Sequence, residues 1–235
     1  MEAYESFMSR IESFETREMN IWGNNFESNP SLMKKVDEDN KFCAFYGDTI
    51  VFNLNEKTKE ILSQMVDELY KKVPECFCER LVSDTFHMTL HDLSNSPNLE
   101  EIASEVFENE LKVIEMAQQV RTGTIKMKSK CIFNMVNTSL VLGLYPINEE
   151  EYLKLMELYK LFNGVKWLNY PLTPHITLAY YNRYGFDMEL WRKLAGIVWE
   201  MNGQELEIEL EVKELFYQKF VSMNEYINVL RLGEV

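Results

Sequence analysis

Two patterns of apolar and polar residues alternate along this chain. Runs with a period of two, rich in aromatic and β-branched residues, predict strands, whereas apolar residues three or four positions apart predict helices. The predicted strands span 42–54, 122–133, 139–145, 205–221 and 225–232, and the two strands that carry the histidine motifs lie within 79–93 and 167–181. The predicted helices span 1–20, 55–73, 99–120, 146–162 and 187–201. Strands and helices therefore alternate through most of the chain.

The order of these elements repeats weakly. In each half, a strand and a helix precede a strand that carries a histidine motif, and a second helix follows it. No low-complexity linker separates the halves. We therefore expect an α+β fold that is bilobal, with two mostly antiparallel sheets, helices packed outside them and a central cleft that carries the two motifs. We expect an N-terminal helical extension over 1–40 and the bilobal domain over 41–235.

The first predicted helix has one apolar face. Its apolar residues, at three- and four-residue spacings, are Tyr4, Phe7, Met8, Ile11 and Phe14. Such a face is typical of a helix that packs on the main body of a protein. A lid over the cleft and a dimer contact are the alternatives. The pattern breaks at Trp22-Gly23-Asn24-Asn25.

Two of the three histidines lie in the same string, His-x-Thr-Leu. The chance of two such strings from three histidines is on the order of one in ten thousand. Since residues i and i+2 of a strand share a face, His87 lies beside Thr89, and His175 lies beside Thr177. If the two strands face each other, two imidazoles and two hydroxyls surround one small anion. The alternative, two histidines satisfied within the core, is disfavoured by the matching threonines.

This pair of strings resembles the two-histidine (2H) phosphoesterase superfamily, which is named for two His-x-Thr/Ser-x motifs. Residues 35–42 and 45–51 also resemble the opening of a little-characterised bacterial and fungal branch of it. The resemblance runs from about Phe42 to the C-terminus and does not cover the first forty residues. It implies a bilobal fold and a reaction that opens a 2′,3′-cyclic phosphodiester without a metal or another cofactor.

In that reaction, as the resemblance implies it, one histidine acts as base and the other as acid. Histidine suits both roles because its pKa lies near neutrality. Thr89 and Thr177 would hold the phosphate oxygens. The sequence leaves open which histidine is the base, and whether hydrolysis or RNA-end joining is the natural direction. A nucleotide-binding module that keeps the cleft without relevant catalysis is the alternative function.

Four further residues are candidates for substrate contacts. His91 shares a face with His87 if the strand stays regular, and Tyr181 could stack on a base. Tyr46 could belong to a stacking wall, together with Phe45. The other interpretations are a rim position for His91 and ordinary strand packing for the tyrosines.

Lys128, in a row with Lys126 and Lys130, could bring positive charge to the cleft. The alternative is that the three lysines lie on a solvated face of a sheet. The sequence pattern does not decide between the two.

Charge and composition narrow the substrate. A hydrophobic content of 46% over 235 residues is ample for a core. The formal net charge of −14 repels polyanions, so we expect no binding of long nucleic acid. A small nucleotide or an RNA terminus in a local pocket remains compatible with this charge. The natural base and the oligomeric state are left open.

Other site types find little support. His87 and His91 have the spacing of a helical zinc pair, but in a strand they would lie roughly 13 Å apart, too far for one ion. We expect the four cysteines to be free thiols, because Cys76-Phe77-Cys78 lacks the spacing of redox and zinc motifs. With no secretory signal and no apolar run of membrane-spanning length, a cytoplasmic protein without membrane contacts is the expectation.

Overall fold

The structure, a computed structural model, describes residues 2–16 and 25–234. Its helices are α1 (Tyr4–Thr16), α2 (Glu56–Lys72), α3 (Leu99–Ala117), α4 (Glu149–Phe162) and α5 (Met188–Met201). Its strands are β1 (Asn25–Phe26), β2 (Tyr46–Asn53), β3 (His87–Ser96), β4 (Thr124–Met135), β5 (Ser139–Pro146), β6 (His175–Tyr180), β7 (Phe186–Asp187), β8 (Glu207–Glu211), β9 (Leu215–Ser222) and β10 (Glu225–Arg231). Among the helices of these residues, none is long and apolar enough to cross a membrane.

Four of the helices begin at a polar residue that caps the first turn. Asn55, Asn98, Asn148 and Asp187 stand just before α2, α3, α4 and α5, and each side chain accepts a hydrogen bond from a backbone N–H of the first turn. Such a cap stabilises a helix by about 1 kcal/mol. The predicted cap at Asn55 is confirmed, with 2.8 Å between its Oδ1 and the backbone nitrogen of Thr58.

Eight strands form one curled antiparallel sheet in the order β10-β9-β2-β3-β6-β5-β4-β8. The first four strands of this order make one lobe, and the last four make the other. The lobes join where β3 pairs with β6, at Met88 and Ile176. A two-stranded sheet of β1 and β7 completes the strand pairing of the described residues. The predicted α+β class, with antiparallel sheets, is confirmed.

The C-terminal part differs from the prediction of one strand over 205–221. A short 3-10 helix, Val212–Glu214, separates β8 from β9. β8 pairs with β4 in the second lobe, whereas β9 pairs with β2 and β10 in the first lobe. The prediction is wrong because the apolar alternation runs up to Val212, at the start of the turn, and no glycine or proline marks the break between 205 and 221. The chain therefore crosses from one lobe to the other at this turn.

Helix α1 packs on the second lobe. Phe7, Ile11 and Phe14 are buried, and the Phe14 ring stacks on the ring of Phe133 of β4, with 4.6 Å between their centroids. The apolar face therefore serves packing on the main body. The predicted break after this helix falls mostly in residues 17–24, outside the described residues. The division at residue 40 stays a prediction.

A bulge interrupts each motif strand at the same motif position. The register of β3 against β2 shifts between Ile50 and Val51, which leaves Leu90 outside the pairing. The register of β6 against β5 shifts between Leu140 and Val141, which leaves Leu178 outside the pairing. Each bulge inserts one residue, so side chains beyond it exchange faces relative to a regular strand.

Candidate active site

Both motif histidines open into one cleft between the lobes, with a volume of about 370 Å³. His87 begins β3 and His175 begins β6, so the pairing of these two strands brings the two rings to the same place. Met88 and Ile176, one residue further on, are fully buried on the opposite face. The period-two alternation therefore separates a face toward the cleft from a face toward the core.

The two imidazoles are held in the same way. His87 Nδ1–H donates to the backbone carbonyl of Thr85 at 2.7 Å, and His175 Nδ1–H donates to the backbone carbonyl of Thr173 at 2.7 Å. A carbonyl oxygen can only accept, so Nδ1 carries the proton in each ring. The neutral rings therefore keep Nε2 as a free acceptor, and each tautomer is set by the backbone.

Thr85 and Thr173 were missed as site residues, although a signal for them exists. The shared string is longer than His-x-Thr-Leu: residues 85–90 and 173–178 both read Thr-x-His-x-Thr-Leu. The first threonine supplies the carbonyl that fixes the ring two residues later. Extending the comparison of the two strings by two residues toward the N-terminus would have found this pair.

Hydroxyl groups surround the imidazoles. The second motif threonines, Thr89 and Thr177, are partly buried and line the same cleft as the rings. Further hydroxyl side chains in the lining are Thr49, Thr85, Thr138, Ser139 and Thr173. Hydroxyls are neutral donors that suit the oxygens of a bound anion. The structure therefore brings together all four motif residues singled out from the sequence.

Burial makes both rings poor bases toward free protons. It lowers the pKa of His87 to about 4, assisted by the charge that His175 carries when protonated. Burial also lowers the pKa of His175. The carbonyls of Thr85 and Thr173 and the carboxylate of Asp92 act in the opposite direction and raise these pKa values. At neutral pH the empty site therefore holds two neutral imidazoles.

An aromatic wall flanks His87. The Tyr226 ring lies 5.0 Å from the His87 ring, the Phe220 ring lies 5.3 Å from Tyr226, and Phe45 stacks on Phe220 at 6.0 Å. The Lys35 ammonium lies 5.2 Å above the ring of Phe45. Such a wall offers flat apolar surface to a planar group.

Gly47 makes room for this wall, because a Cβ there would come within 2.3 Å of the Phe220 ring. It would also come within 2.2 Å of the carbonyl oxygen of Ser94, on the neighbouring strand β3. The close packing of Phe220 over β2 therefore requires glycine at this position.

The opposite wall comes from the second lobe. Tyr159, Leu168, Tyr170 and Leu172 line it. The Tyr170 hydroxyl donates to the carboxylate of Asp92 across the cleft, at 2.9 Å. This hydrogen bond links the segment before β6 to strand β3.

His91 does not lie in the cleft. It is 1% exposed, with Nδ1 at 3.0 Å from the backbone oxygen of Asp92 and Nε2 at 3.1 Å from the side-chain oxygen of Asn163. The expectation that it shares the face of His87 assumed a regular strand, and the bulge at Leu90 removes that condition. Asp92 takes the cleft position instead.

Tyr181 is displaced by the matching bulge at Leu178. It is fully buried, and its ring lies 4.7 Å from Phe26 and 6.1 Å from Phe77. The residue that lines the cleft is its neighbour Tyr180. The structure therefore places Tyr181 in the core rather than beside a substrate.

The last two candidates also lie outside the lining. Phe45 lines the cleft, whereas the adjacent Tyr46 does not. Lys128 pairs with Glu205 at 2.7 Å on the β4–β8 side of the second lobe. The one lysine among the described lining residues is Lys35. The positive charge in the cleft therefore comes from Lys35, in a segment before β2, and not from the lysine row of β4.

Within residues 2–16 and 25–234, no group of three or more His, Cys, Asp or Glu side chains is arranged to hold a metal ion.

Comparison with solved structures finds proteins of similar fold. A crystal structure of a conserved protein of unknown function from Agrobacterium tumefaciens strain C58 has a TM-score of 0.67 and 12% sequence identity, over 88% of this chain and 94% of that one. E. coli LigT, solved in complex with 3′-AMP, has a TM-score of 0.49 and 15% identity over 80% of this chain and 97% of LigT. TT0787 of Thermus thermophilus has a TM-score of 0.46 and 12% identity over 80% of this chain and 99% of that one. No family model and no curated protein matches the sequence.

Proposed function

We propose that this chain, which has the fold of the two-histidine phosphoesterases, is a metal-independent phosphodiesterase that opens the 2′,3′-cyclic phosphate of a small nucleotide or an RNA end. One observation carries the proposal. Two imidazoles with the same backbone-set tautomer open into one cleft beside two motif hydroxyls. Removing one proton and adding another requires two such groups, and a purely structural pair would not need both Nε2 atoms free.

The environment of the two rings supports one assignment of their roles as base and acid. A proton on His175 lowers the pKa of His87, so the pair holds one proton at a time. We assign the neutral base to His87, whose pKa lies at about 4. His175 then carries the proton and acts as the acid. The bound phosphodiester anion favours this protonated state, because an opposite charge raises the pKa of an imidazole.

The reaction balances with these groups alone. His87 Nε2 accepts a proton from water as the water oxygen bonds to phosphorus, and His175 Nε2–H donates its proton to the departing ribose oxygen as the P–O bond breaks. Thr89 and Thr177 donate hydrogen bonds to the non-bridging oxygens, whose charge grows in the transition state. The product is a ribose phosphomonoester. Exchange with solvent then returns the proton from His87 to His175.

The walls of the cleft fit a nucleoside of modest charge. The aromatic wall formed by Phe45, Phe220 and Tyr226 offers a surface on which a base can stack. Lys35 is the single lysine or arginine among the described lining residues, so the cleft suits one phosphate rather than a run of them.

Turnover of 2′,3′-cyclic AMP in the presence of EDTA tests the proposal. Wild-type protein should produce a phosphomonoester, and His87→Ala or His175→Ala should each lower kcat by about 100- to 10,000-fold. Thr89→Ala and Thr177→Ala should lower it by roughly 100-fold. Loss of less than tenfold in both histidine variants contradicts the proposal. Nucleotide binding without turnover by folded wild-type protein supports the non-catalytic binding module instead.

A pair of lysine variants controls for the surface charge. Lys35→Gln and Lys128→Gln change the net charge equally, but only Lys35 lines the cleft. We expect Lys35→Gln to raise KM several-fold and Lys128→Gln to leave it unchanged. Equal effects of the two substitutions would show that overall charge, rather than a contact in the cleft, governs substrate binding.

A further inference from the structure

Arg10 of helix α1 reaches from outside the motif strands to the segment that precedes β6. Its Nη1 donates to Thr173 Oγ1 at 3.0 Å, and its Nη2 donates to the backbone carbonyl of Leu172 at 2.8 Å. The other edge of the guanidinium is held by Glu2, with Nε and Nη2 at 3.0 and 2.8 Å from its two carboxylate oxygens. The guanidinium thus makes four hydrogen bonds, and its orientation is fixed from both sides.

Arg10 contacts Thr173, the residue whose backbone carbonyl binds the imidazole of His175. The side chain and the carbonyl of Thr173 belong to the same residue, and that carbonyl accepts the Nδ1–H of His175 at 2.7 Å. Arg10 also anchors the preceding carbonyl of Leu172. The guanidinium therefore holds the Leu172 carbonyl and the Thr173 side chain, next to the Thr173 carbonyl that sets the tautomer and the orientation of this ring.

The segment around Thr173 is held by contacts from other elements: the backbone N–H of Leu144 donates to the carbonyl of Pro174 at 2.9 Å, and the Tyr159 hydroxyl donates to the carbonyl of Tyr170 at 3.2 Å. Residues 169–174 form neither helix nor strand, and Pro171 and Pro174 lack a backbone N–H. The matching segment before His87 is different, because Thr85 ends a 3-10 helix and its hydroxyl donates to the carbonyl of Val82 at 2.7 Å. The first histidine is thus held by local structure, and the second by a segment that depends on distant elements, among them Arg10 of α1.

We propose that Arg10 is a positioning residue for His175, and that helix α1 contributes to the active site through it. The helix itself is anchored by Phe7, Ile11 and Phe14 in the core, so it provides a rigid base for the guanidinium. A consequence for catalysis rests on the function proposed above, but the positioning of the ring does not. Displacement of a catalytic group by about 1 Å can lower a rate by roughly 100-fold.

Nitrogen-15 NMR of the histidine side chains tests the positioning directly. The chain contains three histidines, so each ring can be assigned. In Arg10→Met, which keeps an unbranched apolar stem and removes the donors, we expect the Nδ1–H of His175 to exchange with water at least about tenfold faster and its pKa to change. The Nδ1–H of His87 should not change, which makes the first ring an internal control.

Kinetics then separate positioning from folding. We expect Arg10→Met to lower kcat by about 10- to 100-fold while KM changes by less than about threefold, and Arg10→Lys to restore part of kcat. Arg192→Met, on the exposed face of α5, removes the same charge far from the segment before β6 and should have no effect. Unchanged NMR signals of His175 and an unchanged kcat in folded Arg10→Met would overturn the proposal.

A second variant covers the case in which Arg10→Met does not fold. Thr173→Val keeps the shape of the side chain and the carbonyl, and removes only the hydroxyl that Arg10 contacts. It should accelerate exchange of the His175 Nδ1–H several-fold, and an unaltered rate overturns the proposal. If the wild type shows the NMR signals and the Arg10 dependence but no turnover, the proposed phosphodiesterase is wrong and the positioning role stands.

Discussion

Burial and one nearby carboxylate have opposite effects on the pKa of each motif imidazole. Burial lowers the pKa of His87 and His175, and Asp92 raises both. Asp92 reaches the cleft because of the bulge at Leu90, and the hydroxyl of Tyr170 holds its carboxylate. In the proposed phosphodiesterase, this negative charge would cost affinity for the phosphate, but it would favour the imidazolium that the acid step needs. It also opposes retention of a dianionic product.

Asp92→Asn should therefore lower the pKa of both motif histidines. The sign follows from the charge: without the carboxylate, the imidazolium loses a favourable interaction and the neutral ring is preferred. A pH titration of the histidine NMR signals measures the shift, and the acidic limb of the pH–kcat profile should move the same way. Glu108→Gln, on the exposed face of α3, is the matched control. A rise of either pKa in Asp92→Asn would contradict this account.

The β4–β5 hairpin carries a strained turn at the rim of the cleft. Val136 and Asn137 have φ angles of 45° and 59°, and a β-branched residue rarely adopts such a conformation. Met135 and Thr138, on either side of this pair, line the cleft. Asn29 stabilises the turn, because its backbone N–H donates to the carbonyl of Asn137 at 2.9 Å. Strain at a rim position is typical of turns shaped by their surroundings rather than by their own residues.

Val136→Asn should raise the free energy of unfolding by about 1 kcal/mol, because asparagine tolerates the left-handed region better than valine does. Val136 is 64% exposed, so the substitution removes little packing. Urea denaturation measures the change. Val136→Ala serves as the control, since alanine also has a Cβ and should give a smaller gain. Destabilisation by Val136→Asn would mean that the valine side chain makes a contact that outweighs the strain.

At the scale of the whole molecule, an acidic body surrounds a cleft of low charge. The formal net charge is −14, and Lys35 and Asp92 are the charged side chains among the described lining residues, apart from the histidines. Under the proposed function, distant carboxylates would repel an approaching nucleotide, while neutral hydroxyl donors of the cleft would bind its phosphate. Short-range contacts would therefore provide the affinity for the nucleotide, whereas the net negative charge of the molecule would slow its association.

The kcat/KM for a cyclic mononucleotide should therefore increase about two- to threefold between roughly 20 and 200 mM NaCl, because salt screens the repulsion. Steady-state kinetics at constant pH measure this, and kcat at saturating substrate should stay constant. Glu108→Lys should reduce the salt dependence. A fall of kcat/KM with salt would instead indicate that attraction by Lys35 dominates the approach of the substrate.

The sequence alone predicted much of this arrangement. The two His-x-Thr-Leu strings identified the strands that meet between the lobes, and the period-two rule placed His87 with Thr89 and His175 with Thr177 on one face. Helix positions followed from apolar spacing and caps such as Asn55. These predictions depend on neighbours along the chain, so local chemistry was enough for them. The hydrogen bonds from Arg10 of α1 to the segment before His175 join residues far apart in sequence, and no local sequence pattern predicted them.

Tertiary structure decided which residue stands beside each motif. A bulge depends on how a strand pairs with its neighbours, and one inserted residue reverses every face beyond it. His91 and Tyr181 therefore went to the core, and Asp92 and Tyr180 took their places in the cleft. Residue types and spacing along the chain determined the imidazoles and hydroxyls of the candidate site, whereas the pairing of distant strands determined what surrounds them.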